Sequence, residues 1–323
     1  MTCGQDETRL CHICLAATTG IGPRTHRKLT SASASPNVSL RSLFEWEPRR
    51  LVSELGLDKE VARRVSRIDS PLVRGQQVLD EMRDEDIRVV TEVDSAYPDR
   101  LLRGLGPDAP PLLFLAGEPG VLDQPTVAIV GSRSPSRSGE KGAVRFAERM
   151  AEAGWTVVSG GARGIDTAGH HGALKHGATA VVPPRGLFEF RWRNPARREA
   201  DGGEFCMVGQ FPPRSGWKTE HALMRNHTIV ALSEATVAVE PRDRGGTWRS
   251  SRATLRAGKP LLVMNGSDEK SKQRGAEILC RSGAQVCSYQ APPGPEQLRR
   301  IVEDASDAER KRQQSLFHRD AVD

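Results

Sequence analysis

Three glycine-rich stretches carry the residues most able to do chemistry. Gly131-Ser132-Arg133 follows the apolar run Val127-Ala128-Ile129-Val130. Ser159-Gly160-Gly161-Ala162-Arg163-Gly164-Ile165-Asp166 follows Val157-Val158, and Gly245-Gly246-Thr247 comes shortly after Thr236-Val237-Ala238-Val239-Glu240. Glycine lets a backbone come close to a ligand. Free N–H groups at the start of a helix, with the positive end of its dipole, favour an anion. Arg133 and Arg163 sit in or beside the first two turns and add charge. The chemistry this pattern offers is holding a phosphate-sized anion.

Sharper chemistries fail on spacing. A Walker A loop needs G-x-x-x-x-G-K-[ST], which Gly139-Glu140-Lys141-Gly142 after Gly131 does not supply. The dinucleotide fingerprint G-x-G-x-x-G is broken by Ser132-Arg133, and a nucleophile elbow at Ser159 would need glycine where Val157 stands. His170-His171 are adjacent on an expected helix and face different directions, so they do not share a metal; His170 reads as a cap or pocket residue. Asp166 and Glu240 are the nearest approach to a carboxylate pair. Asp166 is expected to be a helix N-cap, and Glu240 suits an acceptor of loop amides as well as a base. Cys11-His12-Ile13-Cys14 is formally a C-x-x-C without a second pair at zinc spacing. Both cysteines also fit the apolar face of a helix with Leu10, Leu15 and Ala17. The expectation is no catalytic set, no metal site and no cofactor.

The elements that must position these turns follow from periodicity. Short β-branched runs at Val127, Trp155 and Ala178 alternate with helical segments. Ala143, Phe146, Ala147, Met150 and Ala151 fall at helical spacing, with Gly154 as a stop. Strand–helix–strand–helix–strand with short connections predicts a parallel sheet with right-handed crossovers, its turns gathered on the carboxyl edge where open α/β folds bind ligands. Residues 1–70 read as a small all-helical domain. Its Thr19-Gly20-Ile21-Gly22-Pro23-Arg24 hairpin suits either a helix-hairpin-helix offering Arg24, Arg27 and Lys28 to phosphate, or an ordinary turn between packed helices. Residues 75–290 form the α/β domain, with added strands at Ile87–Val90, Leu112–Leu115, Leu261–Met264 and Gln285–Cys287. Residues 291–323 form a helical tail with Leu298, Ile301 and Val302 on one side. Between Pro183 and Ala200, arginines interleave with Phe188, Phe190 and Trp192. This mixture suits a single nucleic-acid strand, or equally a loop whose rings pack down onto the domain.

Composition narrows the class. The 323 residues carry 47 Lys plus Arg against 41 Asp plus Glu, a net +6 that permits a polyanionic partner without demanding one. Hydrophobic residues make up 37%, enough for a core, and no run approaches membrane-spanning length. With no signal-peptide pattern and six cysteines expected to be reduced, the expected location is the cytoplasm.

The motifs together resemble the DNA-processing protein A family (DprA/Smf). The matching residues are Tyr97-Pro98, Val127 to Arg133, Val157 to Asp166, His170, Gly172-Ala173-Leu174 and Arg225-Asn226. The resemblance covers about Gly75 to Ala284, and the helical start is similar to the family's leader. It implies an extended Rossmann-type, doubly wound, mostly parallel sheet behind a helix-hairpin-helix or SAM-like helical domain. It also implies a homodimer without catalytic turnover that binds single-stranded DNA and helps load a RecA-type recombinase during uptake or recombination. By position it assigns DNA contact to Gly131, Ser132, Arg133, Ser159, Gly160, Arg163, Gly164, Arg225, Asn226, Gly245, Gly246 and Thr247.

The chain departs from the family pattern in the second half of that set. Pro183-Pro184-Arg185-Gly186-Leu187-Phe188 replaces a glycine-rich turn, Arg225-Asn226-His227 replaces Arg-Asn-Arg, and Gly245 to Ser251 replaces Ser-Gly-Ser-Leu-x-Thr-Ala. The C-terminal winged helix of many members is not expected in this sequence. The domain is also similar to that of the nucleoside-monophosphate phosphoribohydrolases, which makes a nucleotide sensor or phosphoribohydrolase-like protein the alternative reading. Those enzymes carry a glutamate in P-G-G-x-G-T-x-x-E, and Ser250 stands in its place.

Overall fold

The computed structural model describes residues 3–35, 38–68, 70–191, 203–266 and 269–320. The chain divides into two compact units, Met1–Gly117 with Pro184–Arg191 and Met207–Lys218, and Glu118–Pro183 with Trp192–Cys206 and Thr219–Asp323.

The first unit begins with helices α1 (Cys3–Ala17), α2 (Pro23–Ala32), α3 (Pro48–Leu55), α4 (Lys59–Val65) and α5 (Ser70–Asp84). Amphipathic spacing gives α1 to α4 one core, with Leu15, Leu29, Leu51 and Val65 fully buried. Strands β1 (Ile87–Thr91) and β2 (Leu112–Gly117) pair antiparallel, with α6 (Asp99–Leu105) between them. The division does not fall at the expected boundary near Ser70. Ile13 of α1 and Leu79 and Met82 of α5 share an apolar cluster with Ile87, Val89 and Phe114, which ties the helical start to these two strands.

Cys11 and Cys14 lie in the helical core, where burial pushes both thiols up, to about 12 and about 11 respectively. The basic residues of the hairpin are already engaged. Arg24 donates to both Asp108 oxygens at 2.7 and 2.9 Å, and Arg27 donates to Glu92 and the Pro107 carbonyl, each at 2.7 Å. The ordinary-turn reading of Thr19 to Arg24 therefore fits better than the phosphate reading.

The second unit contains β3 (Thr126–Gly131), α7 (Arg137–Glu152), β4 (Thr156–Ser159), α8 (Ile165–Leu174) and β5 (Ala178–Val181). After them come α9 (Thr219–Leu232), β7 (Ala235–Val239), α10 (Gly246–Arg256), β8 (Leu261–Met264), α11 (Lys270–Arg281), β9 (Gln285–Cys287) and α12 (Pro295–Asp320). Its strands run in the order β5-β4-β3-β7-β8-β9, each pair parallel. β6 (Glu204–Gly209), which the sequence pattern did not reveal, lies next to β5 and is divided between the units after Cys206. Its alternation is weak: Phe205 and Met207 are half-buried while Cys206, Val208 and Gly209 are buried.

The chain leaves β3 on one side for β4 and β5, and on the other side places β7, β8 and β9. The carboxyl ends of β3 and β7 are thus the topological switch point, where an open α/β sheet has its crevice. Val127, Ile129, Phe146, Met150, Trp155 and Val237 fill the layer between sheet and helices. The tail helix docks on this same core through buried Leu298, with Ile301 and Val302 packed beside it.

Candidate nucleic-acid interface

A cleft of about 540 Å³ opens at the β3/β7 switch point, within the ~300–1,000 Å³ typical of ligand sites. The β3 turn lines it through Gly131, Ser132 and Arg133, the β4 turn through Arg163, α9 through Arg225 and Asn226, and the β7 turn through Gly245, Gly246 and Thr247. Nine of the twelve residues named from the sequence therefore meet in one place.

Local hydrogen bonds fix the turns. The Ser132 N–H donates to the Val239 carbonyl at 3.2 Å, and the Ser132 carbonyl accepts from the Ile165 N–H at 3.1 Å. This joins the end of β3 to β7 and to the start of α8. Thr247 donates its hydroxyl to the Gly131 carbonyl at 2.9 Å, which clasps the start of α10 to β3. The N-terminal turns of α8 and α10 consequently converge on the cleft.

The other three residues shape the cleft from behind. Ser159 is fully buried and donates its hydroxyl to the Ile129 carbonyl at 2.6 Å, so its side chain braces the sheet and does not face the cleft. This corrects its assignment as a contact. Gly164 is the N-cap of α8 at φ 81°, and a Cβ there would lie 2.4 Å from the Ser132 carbonyl oxygen. Gly160 is a place kept empty for an arginine: a Cβ built on it would sit 1.2 Å from Arg225 Nη1.

Arg225 is 6% exposed on the cleft wall, and its Nε has no hydrogen-bond partner among the described residues. Its charge is balanced at 3.8 Å by the buried Asp166 carboxylate. Burial lowers the Arg225 pKa and raises that of Asp166, while their mutual attraction opposes both shifts. Asp166 is not the N-cap expected of it. It stands in the first turn of α8 and accepts from the Ala162 N–H at 3.3 Å. A buried guanidinium whose one ion-pair partner among the described residues stands beyond hydrogen-bond distance is poised to accept a second anion.

The cleft's charge is one-sided. Arg133, Arg163, Arg244 and Arg249 are exposed around it, and none pairs with a carboxylate among the described residues. Arg242 also lines it but is held by Glu269 at 3.0 Å. Sequence reasoning did not assign Arg242 and Arg244 to the site, although Arg242-Asp243-Arg244 directly precedes Gly245. Arg249 of α10 also reaches the cleft.

The second carboxylate at the cleft, Glu240, is committed elsewhere. It is 1% exposed, accepts from the Ser136 N–H at 3.1 Å and from the Ser136 hydroxyl, and pairs with Lys272 Nζ at 2.6 Å. The Tyr289 hydroxyl donates to it at 3.2 Å. Burial opposes its ionisation, but the bonds from Lys272 and Ser136 outweigh this and hold its pKa below the ordinary value. Glu240 also has φ 51°, a conformation costing roughly 1–3 kcal/mol in a non-glycine residue. The network around its carboxylate holds it there. Ser250, at the position of the phosphoribohydrolase glutamate, is 1% exposed and brings no carboxylate.

His170 is neither a cap nor a cleft residue. It is fully buried within α8, with Nδ1 2.7 Å from the Thr179 hydroxyl. That hydroxyl donates to the Val157 carbonyl at 2.7 Å, so His170 carries its proton on Nδ1. Burial pushes its pKa down to about 3, which keeps it neutral. Of the basic-aromatic loop, Phe188 is half-buried in the first unit beneath Arg214, at 5.3 Å. Trp192 and residues 193–200 lie outside the described residues.

Residues 88–292, more than half of the chain, match the family model described as DNA recombination-mediator protein A. Protein Smf of Escherichia coli is 33% identical over 193 residues, covering 58% of this chain and 50% of that protein. DNA processing protein DprA of Streptococcus pneumoniae is 30% identical over 181 residues, covering 55% of this chain and 64% of that one. The chain thus spans only half to about two thirds of these curated relatives. The X-ray structure of the pneumococcal DprA superposes with a TM-score of 0.71 over 87% of this chain and 95% of its own, at 24% identity. A structure of the Helicobacter pylori protein, described as giving insight into its single-stranded DNA binding mode, has a TM-score of 0.55 over 68% of this chain and 96% of its own, also at 24% identity. These two likenesses establish the fold.

Proposed function

The chain belongs to the DNA recombination-mediator protein A family, and from that premise we propose that its switch-point cleft holds the backbone of single-stranded DNA without catalysing a reaction. The observation that carries this reading is Arg225, buried on the cleft wall with Nε unpaired among the described residues and four exposed arginines around it. Guanidinium groups and helix N-termini position phosphates without reading bases. A non-catalytic role is supported by the state of the two carboxylates. Asp166 is spent on Arg225, and Glu240 is spent on Lys272, Ser136 and Tyr289.

A mediator passes a bound strand on. Delivery to a RecA-type recombinase in the cytoplasm, from a homodimer, belongs to the same proposal; the family's description as a recombination mediator supports the hand-over step alone. Among the described residues no helix is long and apolar enough to cross a membrane. The phosphoribohydrolase-like alternative has no carboxylate at Ser250 to support hydrolysis, whereas a nucleotide sensor would need none.

Gly160→Ala offers a test that leaves Arg225 in the chain. The new methyl group meets the far end of the Arg225 side chain, which must leave the wall. Gly160→Ala and Arg225→Ala are each expected to weaken oligothymidylate binding about 10- to 100-fold, the worth of a charge-assisted hydrogen bond, with circular dichroism and urea midpoints checking that the fold survives. Wild-type affinity in both folded variants would overturn the reading.

A further inference from the structure

Beside the main cleft, on the outer surface of α9 and α10, lies a second hollow of about 500 Å³. We infer that it is a further nucleotide subsite, taking the base and phosphate of the unit that continues the strand beyond the cleft; this rests on the reading of the cleft as a single-strand site. Trp248 supplies a half-buried aromatic face at one side of the hollow, and the exposed His227 stands on α9. Arg249, Arg252 and Arg256 recur at three- and four-residue spacing, so they form one stripe along α10.

The hollow is contiguous with the cleft. Leu223, Asn226 and Arg249 line both, so a chain leaving one passes directly into the other. Among the described residues no carboxylate lines the hollow. Arg252 stands with its guanidinium carbon 5.9 Å from the Trp248 ring centroid, at the outer limit of cation–π contact. A base can therefore lie against the ring while the arginine reaches the adjoining phosphate. Aromatic stacking beside backbone-tracking cations is how sequence-tolerant single-strand sites are built.

The test is a fluorescence-anisotropy titration of the full chain with oligothymidylates of increasing length. Wild type is compared with Trp248→Ala, Trp248→Phe, the double variant Arg252→Gln/Arg256→Gln, and the cleft variant Arg133→Ala/Arg163→Ala. For the shortest oligomer that binds, Trp248→Ala and the double Gln variant are expected to match wild type. With longer oligomers each is expected to lose about 5- to 100-fold, while Trp248→Phe keeps most of the affinity. If the Trp248 and Gln variants bind every length as wild type does while the cleft variant loses affinity throughout, the subsite is overturned and the cleft stands. Equal loss at every length would overturn the subsite as a separate site, and no oligomer binding by wild type would overturn the cleft reading itself.

Discussion

Replacing Arg133 and Arg163 together with alanine is expected to weaken single-stranded DNA binding about 10- to 100-fold at low salt, and to flatten its salt dependence. Both side chains are exposed at the cleft rim, and neither is paired among the described residues, so their removal leaves no buried charge behind. In a cleft that holds a DNA backbone, each would neutralise one phosphate. Discounted for exposure, an interaction of this kind is worth about 1 kcal/mol, below the roughly 1.5–3 kcal/mol of a buried hydrogen bond to a charged group. Release of counterions adds a clearer signature. The slope of log K against log salt should become shallower by about 0.7 for each phosphate no longer neutralised, or about 1.4 for the pair. An anisotropy titration at two salt concentrations reads both numbers, and an unchanged slope would show that these arginines do not meet phosphate.

The second large effect concerns stability. Lys272→Met is expected to destabilise the protein by about 3–5 kcal/mol, because it strands the Glu240 carboxylate in the interior without its cation. The sign of the pH dependence follows from the direction of the Glu240 shift. Its folded pKa lies below the ordinary 4.5, so its stabilisation is complete above that value and is lost as pH falls through the folded one. In Lys272→Met, burial acts unopposed by the ammonium and favours the protonated acid. The gap between wild type and variant should then be widest near neutrality and narrow on acidification. Urea midpoints at neutral and acid pH measure this, and Lys272→Met/Glu240→Leu should recover much of the loss. A neutral-pH difference below about 1 kcal/mol would mean that the pair does not hold the β7 turn.

The fold was legible where periodicity is strong. Runs such as Val127 to Val130 and Ala235 to Val239 are buried end to end, as parallel strands are, and glycines mark the turns that follow. Gly131, Arg133 and Arg163 could be read because each stands at the carboxyl end of such a strand or in the turn beyond it. Ser159 misled because the last residue of a strand looks like the first of a turn, and its hydroxyl turned inward to Ile129. Arg242 and Arg244 went unassigned because a loop has no period to say which residues face a cleft.

Long-range partnerships leave no local signal. Glu240 and Lys272 are 32 residues apart, and the space at Gly160 has meaning only once Arg225 arrives from a helix far along the chain. The apolar run of β6, Phe205-Cys206-Met207-Val208, is as long as Val127 to Val130 but holds a single β-branched residue, which hid it as a strand.

The most direct test of the cleft as a backbone-holding, sequence-tolerant single-strand site is a competition titration. Labelled oligothymidylate is bound to the wild-type chain and displaced at two salt concentrations by mixed-sequence single strand, duplex DNA or a nucleoside monophosphate. The account predicts that mixed-sequence single strand competes as well as oligothymidylate, that duplex and mononucleotide compete weakly, and that affinity falls steeply with salt. Displacement by the mononucleotide at concentrations as low as those of the single strand, with little dependence on salt, would contradict it.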